Sequence, residues 1–217
     1  MQSKFAHVTT ASGLKLTAAA ATVGLLAACT PAEPHPQDTF FETLLAHCGN
    51  AYEGHVSLGD PELDDEWINS RIVIEVRECS ENRIRIPLHV GDDHSRTWVI
   101  TRTTAERELE LKHDHRLEDG SHDPLTLYGG HTISVGTATQ QSFPADDYSK
   151  RLFAELGYTA SIDNTWIISF PDQNTFRYRL AREGREFQVD VDLTETVEAP
   201  QAPWGWEDNY QYPRARN

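Results

Sequence analysis

Alternating apolar and polar residues dominate the chain from Tyr52 onward. The apolar positions of the two clearest segments are Ile84, Ile86, Leu88 and Val90, and Phe187, Val189, Val191 and Leu193. Shorter segments of the same kind lie at 72–76, 95–103, 109–112 and 176–180. A side-chain period of two is typical of strands that bury one face, so the pattern predicts about nine or ten short strands joined mostly by polar turns.

A series of half-buried strands, each close in sequence to the next, favours a single antiparallel meander. A sheet of this length curls and closes to remove its edges, and we predict a mainly β fold, a barrel like that of lipocalins or fatty-acid-binding proteins. A β-sandwich is the alternative. A parallel α/β fold is disfavoured because helices do not alternate with the strands.

Two helices are expected beside the strands. Asp38 predicts the N-cap of a short helix that presents Phe40 and Phe41 on one face, ends at Gly49 and plugs or flanks the barrel. A second helix is predicted over 148–156, between a cap at 145–147 and a glycine stop at Gly157. The pair Gly129-Gly130 is interpreted as a turn or bulge.

The first residues have the pattern of an export signal. Lys4 and Lys15 are the only charged residues before Glu33, and a short apolar run separates Lys15 from Cys29. That run is too short for a membrane-spanning helix, which needs about 20 residues. The sequence Leu-Ala-Ala-Cys at 26–29 resembles the lipobox of bacterial lipoproteins, and the proline-rich stretch after it is similar to their flexible tethers. A hydrophobic first helix with a free cysteine is the alternative.

The resemblance implies a lipid anchor and an address. Cleavage would fall before Cys29, whose sulfur would carry a thioether-linked diacylglycerol, and the acyl chains would hold the protein at the membrane. Thr30 stands where an aspartate would favour the inner membrane, so the expected place is the outer membrane, facing the periplasm. The expected organisation is a removed signal peptide at 1–28, a lipidated tether at 29–37, a barrel-like domain at 38–194 and a disordered tail at 195–217.

Charge and cysteine content narrow the class of protein. The 217 residues carry a net charge of −15, and removal of the signal would take away two lysines and no acid. A chain this acidic does not fit a general nucleic-acid binder. In an oxidising periplasm, Cys48 and Cys79 are expected to form a disulfide. Two buried free thiols or a redox pair are the alternatives, although the chain has no Cys-x-x-Cys motif.

The densest cluster of chemically active side chains lies at 112–123. If the strand through Leu109 and Leu111 continues, His113 and His115 point inward with those leucines, in a spacing similar to the His-x-His of cupins. His122 or His131 could complete a site for zinc, manganese or iron. The other interpretations are a hairpin end held by salt bridges, and an organic or haem ligand that contacts His113.

A second candidate set for ligand binding consists of Arg71, Arg96 and Trp98, because a buried arginine at a sheet junction can hold an anion. The aromatic residues of the tail, Trp204, Trp206, Tyr210 and Tyr212, could pack on the body of the protein or meet a protein partner. The segments 113–115, 128–130 and 143–148 resemble uncharacterised bacterial secreted proteins, a resemblance that implies no activity.

The function expected from the sequence is a lipid-anchored module that is structural or binds a small apolar ligand. The sequence lacks the Gly-x-Ser-x-Gly, His-Glu-x-x-His, Walker and dinucleotide-binding glycine motifs. The sequence therefore favours a protein without enzymatic activity, although it does not decide the question. A metal-dependent enzyme or a metal-binding protein that uses His113 and His115 is the alternative.

Overall fold

The structure is a computed structural model that describes residues 1–2, 33–103 and 108–206. Cys29 and most of the expected signal peptide and tether lie outside the described residues. The sheet and its helices belong to the unit that begins at Pro34. Among the described residues, no helix has both the length and the apolar character needed to cross a membrane.

Strands are the predominant secondary structure of the described chain. Those described are β1 (Ala51–Leu58), β2 (Ile72–Glu75), β3 (Glu78–Cys79), β4 (Arg83–Val90), β5 (Asp93–Arg102), β6 (Leu109–His115), β7 (Tyr128–His131), β8 (Gln140–Pro144), β9 (Thr165–Asp172), β10 (Thr175–Arg182) and β11 (Arg185–Asp192). The described helices are α1 (Pro36–Leu45), α2 (Asp65–Ile68) and α3 (Asp147–Glu155), with a 3₁₀ turn at Thr159–Ser161.

The strands form one antiparallel sheet in the order β7-β6-β5-β4-β2-β1-β11-β10-β9-β8, and β3 adds to β4. Except for β1 with β11, each strand in this order pairs with the strand before or after it along the chain. The pair β2–β4 skips only the two-residue strand β3, which pairs with β4. The first and last strands pair directly, with Gly54 opposite Val191 and Val56 opposite Val189. The meander therefore curls into a nearly closed barrel, and the predicted fold class is confirmed over the sandwich alternative.

The sheet leaves one seam, between β7 and β8, where the backbones come very close. The Asp146 amide donates a hydrogen bond of 2.9 Å to the Gly129 carbonyl. A Cβ placed on Gly130 would lie 1.8 Å from the Pro144 carbonyl oxygen. The prediction of a turn or bulge at Gly129-Gly130 is therefore wrong: these glycines pair with β6 in unbroken register as part of strand β7, where the missing side chains allow the seam to close.

Helix α1 covers one end of the barrel. Phe40 and Phe41 are completely buried, and the Phe40 ring packs edge-on against Phe170 at a centroid distance of 5.8 Å. The helix begins at Pro36, so Asp38 lies in its first turn instead of at the N-cap, where His35 stands. Proline at the first helical position explains the earlier start, because its fixed φ suits a helix and the amide it lacks has no partner there.

A disulfide and a well-capped helix confirm two further predictions. Cys48 and Cys79 are bonded, with their Cα atoms 6.2 Å apart, and join the segment after α1 to β3. Helix α3 matches the predicted second helix within one residue at each end. Its N-cap, Asp146, accepts a hydrogen bond of 2.8 Å from the Ser149 amide.

The segment 195–206, here called the C-terminal strap, lies against the outside of the sheet, where the sequence predicts a disordered tail. The Val197 amide donates to the Ala51 carbonyl at 2.9 Å, and the Trp204 amide donates to the His94 carbonyl at 3.1 Å. The Trp206 ring lies 4.7 Å from the guanidinium carbon of Arg85. Backbone pairing and a cation–π contact thus hold residues whose composition alone indicates a solvated tail. Tyr210 and Tyr212 lie outside the described residues.

Candidate functional site

A cavity of about 240 Å³ occupies the end of the barrel opposite α1. Its apolar walls consist mainly of aromatic side chains, among them Trp67, Trp98, Tyr128, Trp166, Tyr178 and Phe187. Most of them stand at inward positions of the strands, so the period of two that builds the barrel also lines the cavity. Trp67 comes instead from α2, which the strand pattern did not reveal, and Phe153 comes from α3.

Aromatic side chains fill the interior of the barrel between the cavity and α1. Trp98 on β5 stacks on Tyr178 on β10 with a centroid distance of 4.4 Å and an interplanar angle of 20°. Phe176 lies 5.9 Å from Trp98 and meets Phe170, which packs in turn on α1. The cavity is therefore a pocket at one end of the barrel, with a packed core as its floor.

His113 is held in the wall by two hydrogen bonds. Its Nδ1 lies 3.1 Å from the Tyr128 carbonyl oxygen, and its Nε2 lies 2.9 Å from the Tyr178 hydroxyl. A carbonyl can only accept, so Nδ1 carries the proton and Nε2 accepts from Tyr178. Burial lowers the pKa of His113 to about 3, with a smaller contribution from His115. His113 is thus a neutral polar group.

His115 and Tyr128 form a similar neutral pair one step nearer the mouth. The Tyr128 hydroxyl and His115 Nε2 are 3.1 Å apart. Burial raises the pKa of Tyr128 to about 12, and burial together with the charge of Arg96 lowers the pKa of His115 to about 4. Near neutral pH both groups are therefore uncharged, and one hydrogen bond joins the hydroxyl to the imidazole.

The structure does not bring the four predicted metal-binding histidines together. His113 and His115 line the cavity as predicted, whereas His122 Nδ1 lies 3.5 Å from Asp114 and His131 Nε2 lies 3.4 Å from Glu110. Glu110 and Asp114 alternate along β6 with His113, so their side chains point to the outer face. Asp114 also pairs with Arg116 at 2.9 Å, in the salt bridge that the alternative interpretation expected.

One group of possible metal ligands does meet within the part of the chain that the structure describes. The ligand atoms of Glu110, His131 and Asp146 lie within 4.8 Å of one another. Lys112 extends to the same place, where it pairs with Asp146 and lies 3.8 Å from Glu110. The lysine ammonium thus already supplies positive charge to these carboxylates.

Besides His113, two of the three other predicted ligand-binding residues lie at the cavity. Arg96 and Trp98 line it, and the Arg96 guanidinium pairs with Asp93 and stacks 5.0 Å from the Trp67 ring centroid. Arg71 lies elsewhere, exposed on the surface, where it forms an ion pair of 2.8 Å with Glu53. The expectation that Arg71 contributes to the ligand site is therefore corrected, since its position on the barrel exterior gives it a solvated partner.

Two arginines at the cavity were missed by the sequence interpretation. Arg182 ends β10 and Arg185 begins β11, and both line the cavity. The signal was present, because the inward series Phe176, Tyr178 and Leu180 continues by two more residues to Arg182. The charged turn at 183–184 concealed this continuation.

The chain was compared with protein-family models, with curated proteins and with solved structures, and none of these comparisons finds a match. The site is therefore interpreted from its own geometry. Aromatic walls with a few fixed polar groups are the usual composition of a small-molecule binding pocket.

Proposed function

We propose that this protein is a lipid-anchored protein of the bacterial cell envelope whose barrel binds a small amphipathic ligand in the cavity opposite α1. The observation that carries the proposal is the aromatic pocket with a packed floor. Such a pocket removes apolar ligand surface from water, and the neutral groups His113, His115 and Tyr128 supply hydrogen bonds that orient the ligand.

The anchor in this proposal rests on the lipobox-like sequence at 26–29. Acyl chains on Cys29 would stabilise membrane attachment by about 0.8 kcal/mol for each buried methylene, and more than one chain makes it lasting. The segment 29–35 would span at most about 25 Å when extended, which would keep the barrel close to the bilayer. The acidic barrel would gain no attraction from anionic headgroups, so the lipid alone would hold it.

Ligand binding can be tested with two leucine-to-tryptophan variants. Leu125 lines the cavity, whereas Leu63 is exposed on the surface, so Leu125→Trp fills the pocket and Leu63→Trp is the matched control. Titration calorimetry with indole and with 1-naphthol should show binding to the wild type and to Leu63→Trp and its loss in Leu125→Trp. Equal binding by the two variants, or no binding of either probe by the wild type, would contradict the proposal.

The anchor has a separate test. We expect Cys29→Ala to move the protein from the membrane fraction of its host to the soluble envelope fraction. Mass spectrometry of the wild-type protein should find an N-terminal cysteine with acyl chains. Retention of Cys29→Ala in the membrane fraction, or an intact N-terminal signal on the wild type, would overturn the lipid anchor.

Metal binding at His113 and His115 would compete with contacts that these side chains already make. Both ring nitrogens of His113 have hydrogen-bond partners, and His115 Nε2 faces the Tyr128 hydroxyl. A metal ion there would have to replace these contacts. Ligand binding instead uses the site as it stands.

A further inference from the structure

Two arginines face each other at the cavity across the last hairpin of the barrel. Arg182 and Arg185 are directly opposite in the β10–β11 register, and both are cavity-lining residues. Like charges at directly opposite positions of an antiparallel pair destabilise the sheet. Two guanidiniums in this arrangement are therefore most stable when negative charge lies beside them.

The protein supplies such charge to Arg185 but not to Arg182. Arg185 pairs with Asp64, and Arg96, the third arginine of the cavity, pairs with Asp93. Arg182 donates from Nη1 to the neutral side-chain oxygen of Asn164 at 2.9 Å. Within the described ranges, 33–103 and 108–206, no carboxylate forms an ion pair with Arg182.

The unused edge of Arg182 has the geometry of an anion site. Its Nε and Nη2 have no hydrogen-bond partner among the described residues, and together they form the edge that can hold a carboxylate with two parallel bonds. Burial, and after it the charge of the neighbouring Arg185, lower the pKa of Arg182. The imidazoles of the wall add no charge near neutral pH, so Arg182 is the uncompensated cation of this pocket.

We infer that the ligand is a small ring-bearing organic acid, whose carboxylate binds Arg182 while its ring packs between the aromatic walls. This inference rests on the proposed ligand-binding function and specifies the chemical class of the ligand. The size of the cavity limits the ring system. At about 240 Å³ it falls below the roughly 300–1,000 Å³ of common ligand pockets, which suits one or two rings and not a long acyl chain.

The test compares an acid with its neutral isostere. Titration calorimetry on the purified full-length protein uses indole-3-acetate, indole-3-acetamide and acetate as probes. We expect the wild type to bind the acid about tenfold more tightly than the amide, the difference that one charge-assisted hydrogen bond supplies. Acetate should bind far more weakly than indole-3-acetate, because it has no ring for the aromatic walls.

Variants on one strand assign the preference to Arg182. Arg179 lies on the same strand β10 but pairs with Glu186 away from the cavity, so Arg179→Gln is the matched control. Arg182→Gln should bind acid and amide with affinities within about twofold, whereas Arg179→Gln should keep the full preference. Arg182→Lys retains the charge without the planar edge, so it should keep part of the preference for the acid. If Arg182→Gln does not fold, Arg182→Lys still tests the role of Arg182.

The possible results distinguish a failure of the carboxylate inference from a failure of the proposed ligand binding. If the wild type binds the acid and the amide equally, or if Arg182→Gln keeps the preference, the inference about the anion is overturned and the apolar pocket stands. Equal affinity for acetate and indole-3-acetate would show a plain anion site and overturn the requirement for a ring. If no ring-bearing probe binds, the ligand-binding function fails together with the inference.

Discussion

The buried neutral histidine in the cavity wall makes the stability of the barrel depend on pH in a calculable way. His113 is 3% exposed and has a pKa of about 3 in the folded protein, against an ordinary value of 6.5. Because the folded pKa is the lower one, the unfolded chain takes up a proton first as the pH falls. Stability is therefore complete above the unfolded pKa and is lost progressively below it, down to about pH 3.

The size of the effect follows from the proton linkage. Each pKa unit corresponds to about 1.4 kcal/mol, so lowering the pH from about 7 to about 5 costs roughly 2 kcal/mol through His113 alone. His89 and His115, each with a pKa of about 4, act in the same direction over this window. Aspartates with lowered pKa values, such as Asp146 and Asp190, change the stability mainly below their ordinary value of 3.8 and leave this window nearly unaffected.

The variant His113→Gln isolates this contribution. Glutamine does not titrate, so the free energy of unfolding should fall by about 2 kcal/mol less between pH 7 and pH 5 than in the wild type. Urea unfolding followed by tryptophan fluorescence at several pH values measures the slope, and a constant loss from imperfect packing cancels in it. Identical slopes for His113→Gln and the wild type would refute the reasoning.

Three further variants test the fold itself. Replacing Cys48 and Cys79 with serine removes a cross-link between residues 31 apart and should lower the free energy of unfolding by about 3–4 kcal/mol, measured by urea unfolding; an unchanged midpoint would show that the bond contributes nothing. Gly130→Ala forces its Cβ against the Pro144 carbonyl and should cost at least about 3 kcal/mol in thermal unfolding, whereas a neutral result would mean that the seam is open. Phe41→Ala empties a fully buried position beneath α1 and should cost about 3–5 kcal/mol, and a loss below about 1 kcal/mol would contradict the packing of that helix.

Local pattern was sufficient to predict most of the barrel. The alternation through Ile84–Val90 and Phe187–Leu193 places the inward faces of β4 and β11 correctly, because burial on one face leaves a period of two in the sequence. The same rule placed His113 and His115 on the cavity side. Cap chemistry at Asp146 was enough to place α3 within one residue.

Features that depend on distant contacts could not be predicted in this way. Gly129 and Gly130 form a strand only because β8 approaches them, and no local signal distinguishes such glycines from a turn. The C-terminal strap is ordered by partners such as Ala51 and Arg85, which lie far away in sequence. The distribution of His122 and His131 on the outer face likewise depends on which strand each one joins.

The pairing of β1 with β11 has a consequence for the order of assembly. Residues 54–58 are made early, yet their partners at 188–191 are made late, so β1 presents an unsatisfied backbone edge while the intervening chain is synthesised. The other neighbouring strands can pair one hairpin at a time, but the barrel closes only when the final strand is present. A chain synthesised only to residue 184 would therefore have an open sheet with an unpaired strand edge, vulnerable to self-association until β11 is added.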